Sequence, residues 1–190
     1  MGGPARGEES PFVRAQRYIG ERVTAALQRV DSAAIDRAVE ILGKARQIFV
    51  YGAGRSGIIG RAFAMRLVQT GLRAYVIGES VTPIVEPGDA VFILSGQGES
   101  QSSVQTANIV RREGASLIVL TAHPTSKLAH AATLLLSVDL PDDEDRPRYA
   151  PLGTLFESAS LRLTDAVIAE LLAARGENEA SMRRRHAIMV

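Results

Sequence analysis

Short apolar runs alternate with helix-period segments along this chain, and no hairpin turn joins one run to the next. That pattern limits the possible folds more than any other feature. Residues 47–51, 73–77, 90–94, 117–120 and 133–138 read as strands, rich in Val, Ile, Leu and Phe. Helical spacing of apolar residues marks 58–70, 101–112, 126–131 and 154–174. Strands linked through helices pair in parallel, and a parallel sheet is covered on both faces. Two more amphipathic segments come first. Residues 11–29 carry Phe12, Ala15, Ile19, Val23, Ala26 and Leu27 on one stripe; residues 32–44, opened by Asp31-Ser32, carry Ile35, Ala38, Val39 and Leu42. The expectation is a three-layer α/β sandwich around a five-stranded parallel sheet, with extra N-terminal helices that pack on the sheet or on another subunit.

One domain accounts for the chain. Residues 1–10 read as a frayed tail and 11–190 as a single unit: helices over 11–44, a sheet core over 46–174 and a polar, basic end over 176–190. A chain of 190 residues can bury a substantial core. Its formal net charge of +1 supplies no global attraction to nucleic acid or membrane, and 5% aromatic residues offer few platforms for stacked bases. Cysteine is absent, which removes disulfides and thiolate chemistry and suits a reducing cytoplasm. No apolar run approaches the roughly 20 residues of a membrane span.

Two turns carry the chemistry. After the third strand, Ser95-Gly96-Gln97-Gly98-Glu99-Ser100 leads straight into a helix. A glycine-rich turn at a helix start leaves backbone N–H groups unpaired at the positive end of the dipole, which receives an anion. Ser95, Ser100 and Gln97 add side-chain donors for phosphate oxygens. A plain turn capped by Ser100 or Ser102 is equally compatible with these residues. After the first strand, Gly52-Ala53-Gly54-Arg55-Ser56-Gly57 fits G-x-G-x-x-G, with Glu79 near the spacing of a ribose-binding acid. A dinucleotide, a small phosphorylated ligand and a purely structural turn all satisfy that pattern. Both turns fall at the carboxyl ends of strands, where open α/β sheets bind ligands.

Further on, Thr154-Leu155-Phe156-Glu157 reads as a helix capping box, with Glu157 at its third helical position. A carboxylate there also stays ionised and able to accept a proton. His123 and His130 flank a proline turn without a third metal ligand and read as structural. The charged stretch 142–148 reads as a solvated loop, and Arg183 to Arg185 as an exposed helix end.

Taken in order, Gly54-Arg55-Ser56-Gly57, Arg61-Ala62-Phe63-Ala64-Met65-Arg66-Leu67, Gly78-Glu79 with Thr82-Pro83, the 95–100 turn, Pro151-Leu152-Gly153-Thr154-Leu155-Phe156-Glu157 and Arg185-His186-Ala187 resemble the 6-phospho-3-hexuloisomerases of the sugar isomerase (SIS) domain family. The resemblance spans residues 48–186. It implies a flavodoxin-like sheet between helices, assembly as a homodimer or homotetramer, and no metal or cofactor. It further implies interconversion of D-arabino-hex-3-ulose 6-phosphate and fructose 6-phosphate, a step of formaldehyde assimilation. The family's substrate loops fall on Arg55, Ser56, Ser95, Gly96, Gln97, Gly98, Glu99 and Ser100. Its catalytic base falls on Glu157, and an active-site histidine, its own or a neighbouring subunit's, on His186. Gln97 stands where the family has serine; Ile188 and Val190 stand where Asn and Glu are common. The rival functions are another aldose–ketose isomerase of this fold, an NAD-dependent dehydrogenase, or a sugar-phosphate sensor without chemistry.

Overall fold

A computed structural model describes residues 9–188. Val190, and the tail before residue 9, lie outside the described residues. Eight helices and five strands occur among those described: α1 (Pro11–Gln28), α2 (Ser32–Lys44), β1 (Ile48–Gly52), α3 (Arg55–Gln69), β2 (Ala74–Val76), β3 (Ala90–Leu94), α4 (Gln101–Arg112), β4 (Ser116–Thr121), α5 (Lys127–Ala131), β5 (Leu134–Ser137), α6 (Arg146–Tyr149), α7 (Thr154–Arg175) and α8 (Glu179–Arg184), with a loop and no helix joining β2 to β3. Every strand pair is parallel, in the order β2-β1-β3-β4-β5. The chain therefore reverses its direction of sheet growth between β1 and β3, side by side at the centre.

Side-chain alternation divides the core into two layers. Ile48, Val50, Phe92, Leu94, Ile118 and Leu120 face α2, α3 and α7, packing on Leu42, Phe63, Leu67, Val167 and Leu171. Phe49, Val91, Ile93, Leu117 and Val119 face α4 and α5, packing on Ala107, Val110 and Leu128. The ring centroids of Phe63 and Phe92 lie 5.0 Å apart, joining α3 to the sheet centre. The N-terminal helices part company. α2 packs on the sheet-side core, whereas α1 touches it only near its end, through Leu27, and seats Tyr18 and Val23 on Leu155 and Ala159 of α7.

Three boundaries differ from expectation. Glu9 and Ser10 are tied to the start of α1: Ser10 is its N-cap, with Oγ accepting from Val13 N–H (3.3 Å), and Glu9 pairs with Arg17 (2.6 Å). α3 begins at Arg55, three residues earlier than its apolar period, because Gly54 at φ +56° turns the chain directly into the helix. The stretches read as a solvated loop and a polar tail contain α6 and α8, helices too short to show a period.

Candidate active site

Three of the helices that begin at the carboxyl edge of the sheet have no side-chain cap. α3 follows Gly54, α4 follows Ser100 and α7 follows Gly153. Uncapped first turns keep their N–H groups unpaired at the positive end of each dipole. The three ends surround one cavity of about 670 Å³. Ala53 and Ser56 line it from the β1–α3 turn and the start of α3; Leu94, Ser95, Gly96, Gln97 and Ser100 from the end of β3 and the turn after it; Ala122 and His123 from the end of β4. Leu140, Pro141, Asp142 and Arg146 close it from beyond β5, and Leu152, Gly153, Leu155, Phe156 and Glu157 from the start of α7.

The β3–α4 turn spends its carbonyls internally and leaves its amides free. Gly98 takes φ +66°, and a Cβ there would stand 2.1 Å from Ser126 Oγ, so only glycine fits. Gly98 O accepts from Leu128 N–H (3.1 Å), and Gly96 O from Ala122 N–H (3.1 Å) and the Thr121 hydroxyl (3.1 Å). Among the described residues, the N–H groups of Gly96, Gln97, Glu99, Ser100, Gln101 and Ser102 meet no protein acceptor. Ser95 Oγ accepts from Gly98 N–H (3.2 Å), which leaves its own proton to donate. Ser100 Oγ caps nothing and lies 3.1 Å from Ser102 Oγ.

Glu157 faces these donors. Its side chain is 13% exposed, and Oε2 lies 2.6 Å from Arg55 Nη2 in an ion pair that lacks hydrogen-bond alignment. The capping box does not form. Thr154 is already helical, its hydroxyl donates to Pro151 O (2.7 Å), and the cap position falls to Gly153. Leu152, at φ +57°, supplies the sharp turn before it. With its structural task gone, the Glu157 carboxylate is left in the cavity wall.

The expected site residues therefore divide. Ser56, Ser95, Gly96, Gln97, Ser100 and Glu157 share the cavity, and Arg55 reaches it through Glu157. Gly98 shapes the turn from behind. Glu99 turns away: its carboxylate accepts from Lys127 N–H (2.9 Å) and pairs with Lys127 Nζ (3.1 Å), and that amide bond first, then the ammonium, holds its pKa low. His186 is not brought to Glu157 in the same chain. Its neighbour Arg185 donates to Gln69 O (3.3 Å) at the far end of α3, a helix of 15 residues and so roughly 22 Å long.

Three residues of the wall were read otherwise from sequence. His123, taken as structural, lines the cavity, and so do Asp142 and Arg146, taken as a solvated loop. Their signal in the sequence is only that they follow β4, the neighbour of β3, and β5, one strand further out. Glu79 pairs with Arg61 instead of facing a ligand, which removes the acid a dinucleotide site requires. Among the described residues no three His, Asp or Glu side chains gather as metal ligands do, and no helix is long and apolar enough to cross a membrane.

Comparison with known proteins agrees with this fold. Residues 41–154 match the SIS domain family. The chain is 36% identical over 156 residues to the 3-hexulose-6-phosphate isomerase of Bacillus subtilis, covering 80% of this chain and 84% of that one. It is 32% identical over 174 residues to the 3-hexulose-6-phosphate isomerase of Methylomonas aminofaciens, covering 90% and 96%. A crystal structure from Methanococcus jannaschii, for which a molecular function of 3-hexulose-6-phosphate isomerase was inferred, superposes with a TM-score of 0.85 at 27% identity, covering 93% of this chain and 99% of that one.

Proposed function

The chain belongs to the SIS domain family, and on that premise we propose that it interconverts D-arabino-hex-3-ulose 6-phosphate and fructose 6-phosphate. One observation carries the reading: three uncapped helix starts share one cavity with a largely buried carboxylate, Glu157. Donors without acceptors suit a phosphate, and the carboxylate suits a proton on the carbon chain attached to it.

The phosphate binds to the free amides of the β3–α4 turn and the hydroxyls of Ser95 and Ser100, with Ser56 on the phosphate or a sugar hydroxyl. Anchoring at that end makes the later proton transfer effectively unimolecular. Glu157 removes the proton from carbon 2 of the 3-ketose. The electron pair forms the carbon 2–carbon 3 double bond of an enediol while oxygen 3 takes up a proton. Glu157 then returns its proton to carbon 3 as oxygen 2 loses one, leaving the 2-ketose. No electron leaves the substrate. Arg55 holds the carboxylate in place.

The hydroxyl protons need a second group, and an imidazole exchanges protons near neutrality. We assign that task to His123, which lines the same cavity. His186 can perform it only from a neighbouring subunit, in a homodimer or homotetramer. The same reading puts the enzyme in the cytoplasm, in formaldehyde fixation through the ribulose monophosphate route.

Incubation of the purified protein with fructose 6-phosphate in deuterium oxide tests the chemistry. Deuterium at carbon 3 is the expected result. Deuterium at carbon 1 instead identifies an aldose–ketose isomerase, and binding without exchange identifies a sensor.

A further inference from the structure

Arg146 is the one lysine or arginine among the residues that line the cavity, and nothing in the chemistry above uses it. The wall also carries two carboxylates, Glu157 and Asp142, so a phosphate dianion enters a cavity whose other phosphate donors are uncharged. We propose that Arg146 is a further phosphate-binding residue, held for the substrate by Asp142 and transferred to the phosphate when it arrives. The inference rests on the phosphosugar reading of the cavity.

The backbone at this point is fastened from outside. The Asp143 carboxylate accepts from Arg146 N–H (3.1 Å) and from the Tyr18 hydroxyl (2.7 Å), and it pairs with Arg22 of α1 (2.9 Å). Tyr149 packs on Tyr18 with ring centroids 5.9 Å apart. Tyr18 and Arg22 belong to α1, so the first helix fixes where α6 starts and hence where the Arg146 side chain departs.

The guanidinium is only partly committed. Nε donates to Asp142 Oδ1 (2.6 Å), Nη1 reaches Leu152 O at a long 3.4 Å, and Nη2 has no partner among the described residues. The Arg146 side chain is 28% exposed, whereas Asp142 is 83% exposed. An ion pair whose acid stands in water is weak and easily exchanged. A phosphate offers the same guanidinium two parallel acceptors and twice the charge. Asp142 thus occupies the place of an anion and yields it at little cost.

Titration calorimetry with fructose 6-phosphate, fructose and inorganic phosphate separates this inference from the reading beneath it. Arg146→Ala should weaken fructose 6-phosphate and inorganic phosphate by about tenfold or more, the effect of losing a charge-assisted contact. Arg146→Lys, which keeps the charge but not the fork, should recover only part of that loss. Asp142→Asn should tighten both ligands, because the guanidinium is then free. Unchanged phosphate affinity in Arg146→Ala, or weaker binding in Asp142→Asn, overturns the role of Arg146. Wild-type protein that binds phosphate but not fructose 6-phosphate overturns the phosphosugar reading and leaves the arginine to be judged on phosphate alone. Protein that binds neither overturns both. Circular dichroism of each variant confirms that it is folded.

Discussion

Oε1 of Glu157 occupies the space that a side chain at position 153 would need: a Cβ on Gly153 would stand 2.8 Å from it. The glycine thus serves both as the start of α7 and as the floor beneath the carboxylate. Gly153→Ala is expected to displace the carboxylate and lower kcat at least tenfold, with little change in fructose 6-phosphate binding. Glu157→Gln removes the base itself and should cost about 10²–10⁴ in kcat. Steady-state kinetics beside calorimetric binding distinguishes the two, and full turnover in Glu157→Gln would remove the base assignment.

Gly98 sets the anion cradle through its backbone. Alanine there would carry a positive φ and press on Ser126 Oγ and Cβ. We expect Gly98→Ala to lower stability by about 1–3 kcal/mol and to weaken phosphate binding, since Gln97 and Glu99 amides turn with residue 98. Thermal unfolding with and without phosphate measures both effects. A variant with normal stability and normal phosphate protection contradicts the packing described here.

The two histidines separate by position. His123→Gln is expected to lower kcat about a hundredfold or more, while KM changes little. His186→Gln should leave wild-type kinetics if His123 carries the task. Loss of activity in His186→Gln, restored by mixing it with Glu157→Gln protein, would instead assign the task to the neighbouring subunit's histidine.

The C-terminal helix is tied down by an ion pair with a clear pH signature. The Arg185 guanidinium, and then the Ser181 hydroxyl, lower the Glu177 carboxyl from 4.5 to about 2. The pair itself spans 2.8 Å. A carboxylate with a depressed folded-state pKa stabilises fully above its unfolded value and loses that contribution as pH falls toward the folded one. Glu177→Gln should therefore melt below wild type at pH 7, and the gap should narrow steadily below about pH 4.5. A gap that stays constant across that range shows that the carboxylate charge is not the cause.

Local signals made much of this fold readable. The apolar run 90–94 is buried along its whole length and coincides with β3, because a strand covered on both faces needs an unbroken apolar sequence. The following Ser95 to Ser100 turn and the 101–112 helix were likewise visible, since glycine and serine punctuate a chain through their own backbone preferences. Glu157 was visible as a carboxylate at a helix start, but the residue pattern favoured a cap. Only the placement of Gly153, Leu152 and the Thr154 hydroxyl shows that the cap is made without it.

Sequence periodicity therefore determined the strands and the longer helices, their parallel pairing and the anion-receiving turns, because each depends on residues a few positions apart. It could not determine which loops meet. That depends on the strand order β2-β1-β3-β4-β5, which puts the ends of β4 and then β5 on the same edge and the same side as the β3 turn. His123, Asp142 and Arg146 entered the cavity by that route. His186 was separated from it by the length of α3. Contacts between residues far apart in the chain arise from packing, and packing is a property of the folded core as a whole.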